Sequence, residues 1–215
     1  MTRTAKPTRR YNQTARAQSA EETGQRIVEA FIGLLHAEWY DRITLERVAD
    51  LAGVSVQTIV RRFGSKDGLL AGSMPTLSAQ VASRRATPAG DDAAYVRNLV
   101  ADYEALGDGV IRLLALEERH EAVARMVDIG RRQHRAWVRE QFAPLLAGVG
   151  EGERESVVDA LVVATDVYTW KLLRRDRGHG VEETARIVLG LVKAIGAQHA
   201  RPQDAGTRPR RAKQT

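Results

Sequence analysis

Cysteine is absent from all 215 positions. That excludes a disulfide framework, a thiolate metal site and a cysteine nucleophile, and it suits a reducing cytoplasm. No run approaches the ~18 consecutive apolar residues needed to cross a bilayer. The opening residues, MTRTAKPTRRYNQTARAQ, lack the apolar segment of a secretory signal, so the chain is expected to stay in the cytoplasm. No stretch of six or more residues alternates with period two and there are no internal repeats, which leaves an all-α chain.

Marks of catalysis are missing as well. The five histidines, His36, His120, His134, His179 and His199, are scattered. Glu117-x-x-His120 is half of a di-iron carboxylate motif, but that chemistry needs a second copy. GVGEGE lacks the third glycine of a dinucleotide fingerprint and follows no strand, and a Gly-x-Ser-x-Gly elbow is absent. No enzyme activity, catalytic residue, metal or cofactor is expected.

What is present is a globular composition, 43% hydrophobic and 28% charged, with an uneven charge. Residues 1–20 carry +5 and residues 200–215 carry +4, leaving residues 21–199 at −3. The two basic ends are rich in Pro, Thr, Gln and Arg and are expected to be flexible arms. Such arms either aid solubility or reach for nucleic acid.

Between them, helical periodicity dominates. Ile27, Phe31, Leu34 and Leu35 form one amphipathic stripe, Leu45, Val48, Ala49 and Ala52 a second, and Ile59 with Phe63 a third. A fourth helix is expected over 66–85 with a kink or break at Pro75, then a linker at 86–92. Asp91 or Asp92 caps a helix that the GDG at 107–109 ends. Further helices are expected over 110–118, 121–146, 153–175 and 181–199, about nine in all.

The informative segment is TLERVADLAGVSVQTIVRRFGSKDGLL, residues 44–70. Two short helices flank Ala52-Gly53-Val54-Ser55. Gly53 gives a tight turn its backbone freedom, Val54 plugs the space between the helices, and Ser55 is a good N-cap. Helices of about eight residues are unstable alone and need the preceding helix to pack on. With Ile59 and Phe63 inward, Val56, Gln57, Thr58, Val60, Arg61 and Arg62 face outward. That surface fits the major groove of B-DNA, where Gln pairs with adenine and Arg with guanine or phosphate. An ordinary helical hairpin with a solvated face stays open on this pattern alone.

The segment resembles the DNA-binding domain of the tetracycline-repressor (TetR) family over about residues 24–72. The matching positions are Thr44, Val48, Ala49, Ala52, Gly53, Val54, Ser55, Thr58, Ile59, Phe63, Ser65, Lys66, Asp67 and Leu69. The resemblance implies phosphate contacts from Thr44, Thr58, Arg62 and Lys66, and base reading by Val56, Gln57 and Arg61. The family usually has Tyr where Val60 stands and often His where Arg62 stands. One phosphate contact is lost at Val60 and another reinforced at Arg62. Arg9, Arg10 and Arg16 are candidates for the minor groove.

The implied organisation is a basic arm (1–20), a helix-turn-helix domain (21–67), an effector-binding and dimerisation domain (68–199) and a basic tail (200–215). Val158, Leu161, Leu172, Val188, Leu191 and Ile195 are the expected homodimer interface. Tyr103, Met126, Trp137, Thr165 and Tyr168 are the expected effector pocket, each with a plain core role as the alternative. The implied function is a dimeric transcriptional regulator, a repressor released from a palindromic operator in double-stranded DNA by a small-molecule effector, and nucleoid-associated when bound. The rivals are a protein of this fold that binds a ligand or scaffolds without operator recognition, and a sequence-neutral DNA coater driven by the basic ends.

Overall fold

The computed structural model describes residues 9–199, with side chains from 17 onward. All regular structure among the described residues is helical: α1 (Arg9–Ala37), α2 (Leu45–Ala52), α3 (Val56–Phe63), α4 (Lys66–Arg85), α5 (Asp92–Leu114), α6 (Glu121–Gln141), α7 (Ala143–Ala147), α8 (Arg154–Ala164), α9 (Val167–Lys171) and α10 (Val181–His199). No helix among them is long and apolar enough to cross a membrane.

Two compact units share these helices. The first runs up to Ala86 and adds Ala101–Arg132. Its core joins Ile27, Phe31 and Leu35 of α1 to Val48 of α2, Ile59 of α3, Leu69 and Leu70 of α4, Leu113 of α5 and Val123 of α6. The second comprises Thr87–Val100 and everything from Gln133 on. There Tyr95 meets Phe142 edge to face at 5.5 Å, and α8 packs on α10 with Val157, Val158, Leu161, Val188 and Val192 buried.

Several boundaries differ from those expected. Helix α1 already includes Arg9–Ala20, where a flexible arm was expected, because no Pro or Gly intervenes between Thr8 and Gly24 and the stretch is rich in helix formers. The side chains of Arg9, Arg10 and Arg16, and the whole of 200–215, lie outside the described residues. Pro75 neither breaks nor ends α4. The GDG at 107–109 does not end α5. Gly109 faces the backbone of α1, where an added Cβ would sit 3.1 Å from the carbonyl oxygen of Leu35, so this glycine permits close packing rather than a turn.

The apolar helix expected over 153–175 is two. α8 stops at Ala164, and Asp166 caps α9 by accepting from the N–H of Tyr168 at 2.8 Å. A π-helical turn over 172–176 follows. Thr165, at the break, is buried. Its hydroxyl donates to the carbonyl of Leu161 at 2.7 Å, so the contact with His134 Nε2 at 3.2 Å requires His134 to carry its proton on Nε2.

Candidate nucleic-acid interface

Each short helix of the first unit is started by a side chain and stopped by a glycine. Thr44 caps α2 by accepting from the N–H of Arg47. Gly53, at φ 65°, ends α2 in the left-handed region that a side chain would strain. Two residues on, Ser55 caps α3 by accepting from the N–H of Thr58 at 3.2 Å, and its hydroxyl meets that of Thr58 at 2.9 Å. Val54 is half-buried and packs on the core. Gly64 stops α3 at φ 79°, and Ser65 caps α4.

Ile59 is fully buried and fixes the roll of α3. With that side inward, Gln57 and Arg61, one turn apart, stand exposed on the opposite side. Val60 is 43% exposed on one flank, one turn after half-buried Val56. Thr58 and Arg62 occupy the other flank. The exposed surface of α3 therefore combines an amide, a guanidinium and an apolar side chain.

Two of the expected phosphate-binding cations are engaged inside the protein. Lys66 donates to the carbonyls of Tyr40 and Ile43, both at 3.0 Å, and its ammonium lies 4.4 Å from the centre of the Tyr40 ring. Burial holds its pKa below the ordinary lysine value. Tyr40 is buried, its hydroxyl bonds Asp67, and burial first and that carboxylate second push its pKa up. Arg62 donates to the carbonyl of Ala20 at 2.6 Å and to Glu21 at 3.1 Å. Lys66 thus ties α4 to the turn after α1, and Arg62 ties α3 to α1. Long side chains near an interface reach backward as readily as outward, which residue type and spacing do not reveal.

The α1 side of this arrangement was not among the expected site residues. Ser19, Thr23 and Arg26 line an open groove with Gly53, Val54, Thr58, Arg61 and Arg62. Their spacing of four and three along α1 is the available sequence signal, a polar stripe beside the apolar one of Ile27, Phe31, Leu34 and Leu35.

The other expected site residues fall in both units. Tyr103 and Met126 belong to the first unit. Tyr103 is buried beneath the guanidinium of Arg85 at 4.8 Å, and Met126 packs against the core. Trp137, Thr165 and Tyr168 belong to the second. Tyr168 is 53% exposed. Val158, Leu161 and Val188 are buried within the chain. Leu172 and Leu191 are exposed, as is Val163, and Ile195 is half-buried.

Residues 27–72 match the family model of bacterial regulatory proteins, tetR family. No curated protein matches the chain. Among solved structures, a transcriptional regulator from Rhodococcus sp. Rha1 is 16% identical with a TM-score of 0.64, over 83% of this chain and 99% of its own. A tetR-family transcriptional regulator from Streptomyces coelicolor is 20% identical with a TM-score of 0.63, over 86% and 91%. Residues 27–72 thus match the tetR family model, and the chain shares the fold of these solved structures.

Proposed function

We propose that the protein is a dimeric DNA-binding regulator that recognises a palindromic operator and is released from it by a small-molecule effector. The observation that carries this reading is α3 itself: capped by Ser55, rolled inward on Ile59, it offers Gln57 and Arg61 outward. These are the side chains that make bidentate contacts to adenine and guanine in the major groove. Thr44, Ser55 and Thr58 place hydroxyls beside helix N-termini, where a phosphate is favoured. Dimerisation is supported by the exposed apolar residues of the second unit, Val163, Leu172 and Leu191. Two-fold symmetry then sets half-sites ~34–36 Å apart, or a multiple of that. An effector acts by binding the released state more tightly than the operator-bound one.

The test is selection of bound fragments from random duplex DNA. A palindromic consensus supports the reading, and wild-type protein that enriches no sequence at moderate salt defeats it. Leu191→Glu should convert the dimer to monomer in sedimentation and weaken operator binding together.

A second reading, a protein of this fold that binds a ligand or scaffolds without operator recognition, draws on the internal engagement of Lys66 and Arg62 and on the apolar Val60. The same selection separates the two.

A further inference from the structure

The groove between α1 and α3 has a volume of about 710 Å³ and is lined on one side by Thr23 and Arg26 of α1, on the other by Thr58, Arg61 and Arg62 of α3. Three arginines thus line one open depression. Arginines lining one depression make its potential positive and favour an anion there.

The three arginines are not equivalent. Arg62 is held by the carbonyl of Ala20 and by Glu21, whose side chain is 79% exposed, so its charge is already met. Arg26 is exposed and makes a long contact, 3.5 Å, to the hydroxyl of Thr23. That hydroxyl donates its own proton to the carbonyl of Ser19, so toward Arg26 it can only accept. Thr23 therefore steadies the Arg26 guanidinium at the groove while leaving its remaining N–H groups for an acceptor. Arg61 is exposed and lies both on the groove and on the outward surface with Gln57.

We propose that this groove seats a phosphodiester of the DNA backbone, bound by Arg26 and Arg61, with Thr23 as a positioning residue and Glu21 opposing. The proposal rests on the operator-binding reading and extends it. It makes α1 a DNA-contacting element in its own right. The occupant is a polymer phosphate because the depression is open and continuous, through Arg61 and Thr58, with the outward face of α3, so a strand lying along that face passes over it. Planar guanidinium groups suit a phosphodiester, to which they bond in pairs.

The experiment measures binding of the full chain to duplex DNA across salt concentrations. Arg26→Ala should weaken binding about tenfold near 100 mM salt and reduce the slope of log K against log salt by about 0.9 for each protomer bound. Arg26→Lys should recover most of the slope. Glu21→Gln should tighten binding and steepen it. On the selected operator, a neutral methylphosphonate at the contacted position should weaken the wild type but not Arg26→Ala. Thr23→Val should reduce that methylphosphonate effect while leaving the helical content unchanged. Equal salt slopes for Arg26→Ala and the wild type would overturn the proposal while leaving a sequence-specific operator intact. Failure of the wild type to prefer any sequence would instead overturn the operator reading. In that case the slopes on random duplex still decide whether the groove takes a phosphate.

Discussion

The ammonium group of Lys66 stands 3.0 Å from the carbonyl oxygen of Tyr40 and 4.4 Å from the centre of the same residue's ring. A lysine at the start of α4 thus closes the turn that follows α1, meeting the Ile43 carbonyl and also the Tyr40 carbonyl, which accepts from the N–H of Ile43 at 3.2 Å as well. A cation over an aromatic face adds to this.

Lys66→Ala should therefore lower stability as well as any DNA affinity. Taking the lysine donor from the part-buried Ile43 carbonyl, and one of two donors from that of Tyr40, costs about 1–3 kcal/mol, readable as a lower urea midpoint with an unchanged m-value. Lys66→Ala protein as stable as the parent would show that the two bonds contribute nothing.

Asp102 is 1% exposed and accepts from Arg84 Nε at 2.6 Å and Arg85 Nε at 2.7 Å, joining the last turn of α4 to α5. Arg85 has only 10% of its side chain exposed. Asp102→Ala leaves that guanidinium without its carboxylate in a place water scarcely reaches, at a cost of about 3–5 kcal/mol. The measurement is again denaturant unfolding, and a loss below about 1 kcal/mol would mean that solvent reaches the pair.

His36 supplies a pH dependence. Burial holds its pKa below the ordinary histidine value of 6.5, Arg84 and Arg112 lower it further, and Asp102 opposes them. A base with a depressed folded pKa is neutral in the fold and gains its proton more readily when unfolded. Its contribution is therefore fully present above about pH 6.5 and is lost as pH falls below it toward the folded value. The melting temperature should drop between pH 7.5 and 5.5, and His36→Gln should show a smaller drop. Parallel pH profiles would remove His36 as a source.

The helix-turn-helix was legible because its determinants are local. Thr44, Gly53, Ser55 and Gly64 act within four residues of themselves, and a cap or a left-handed turn is a matter of residue type. The directions of Lys66 and Arg62 were not legible, since their partners lie 23 to 42 positions away in the chain. Apolar spacing in α8 and α10 pointed to a packed face. However, Val158, Leu161 and Val188 serve packing within one chain with the same periodicity that an interface between chains would use. Thr165-Asp166 held a readable signal, because an Asp inside an apolar run is an N-cap in waiting.

Gly24 and Arg62 offer a sharper test of how α1 holds α3. Gly24 is buried within α1, and a Cβ placed there would lie 2.2 Å from the Arg62 guanidinium carbon. Alanine is better than glycine in a helix interior by about 1 kcal/mol, so on propensity alone Gly24→Ala should stabilise. In the parent the gain is offset, because the guanidinium must swing off Ala20 and Glu21 to clear the methyl group. Arg62→Ala removes the three atoms nearest that methyl group, and Gly24→Ala should stabilise by about 1 kcal/mol more in that background than in the parent. The four proteins of this cycle, unfolded in urea under one set of conditions, give the coupling directly. Equal effects of Gly24→Ala in both backgrounds would mean that Arg62 does not rest on Gly24 in solution. A guanidinium so released would be free to bind phosphate, and the Gly24→Ala protein would then bind DNA with a salt slope no steeper than the parent's, whereas a displaced Arg62 steepens it.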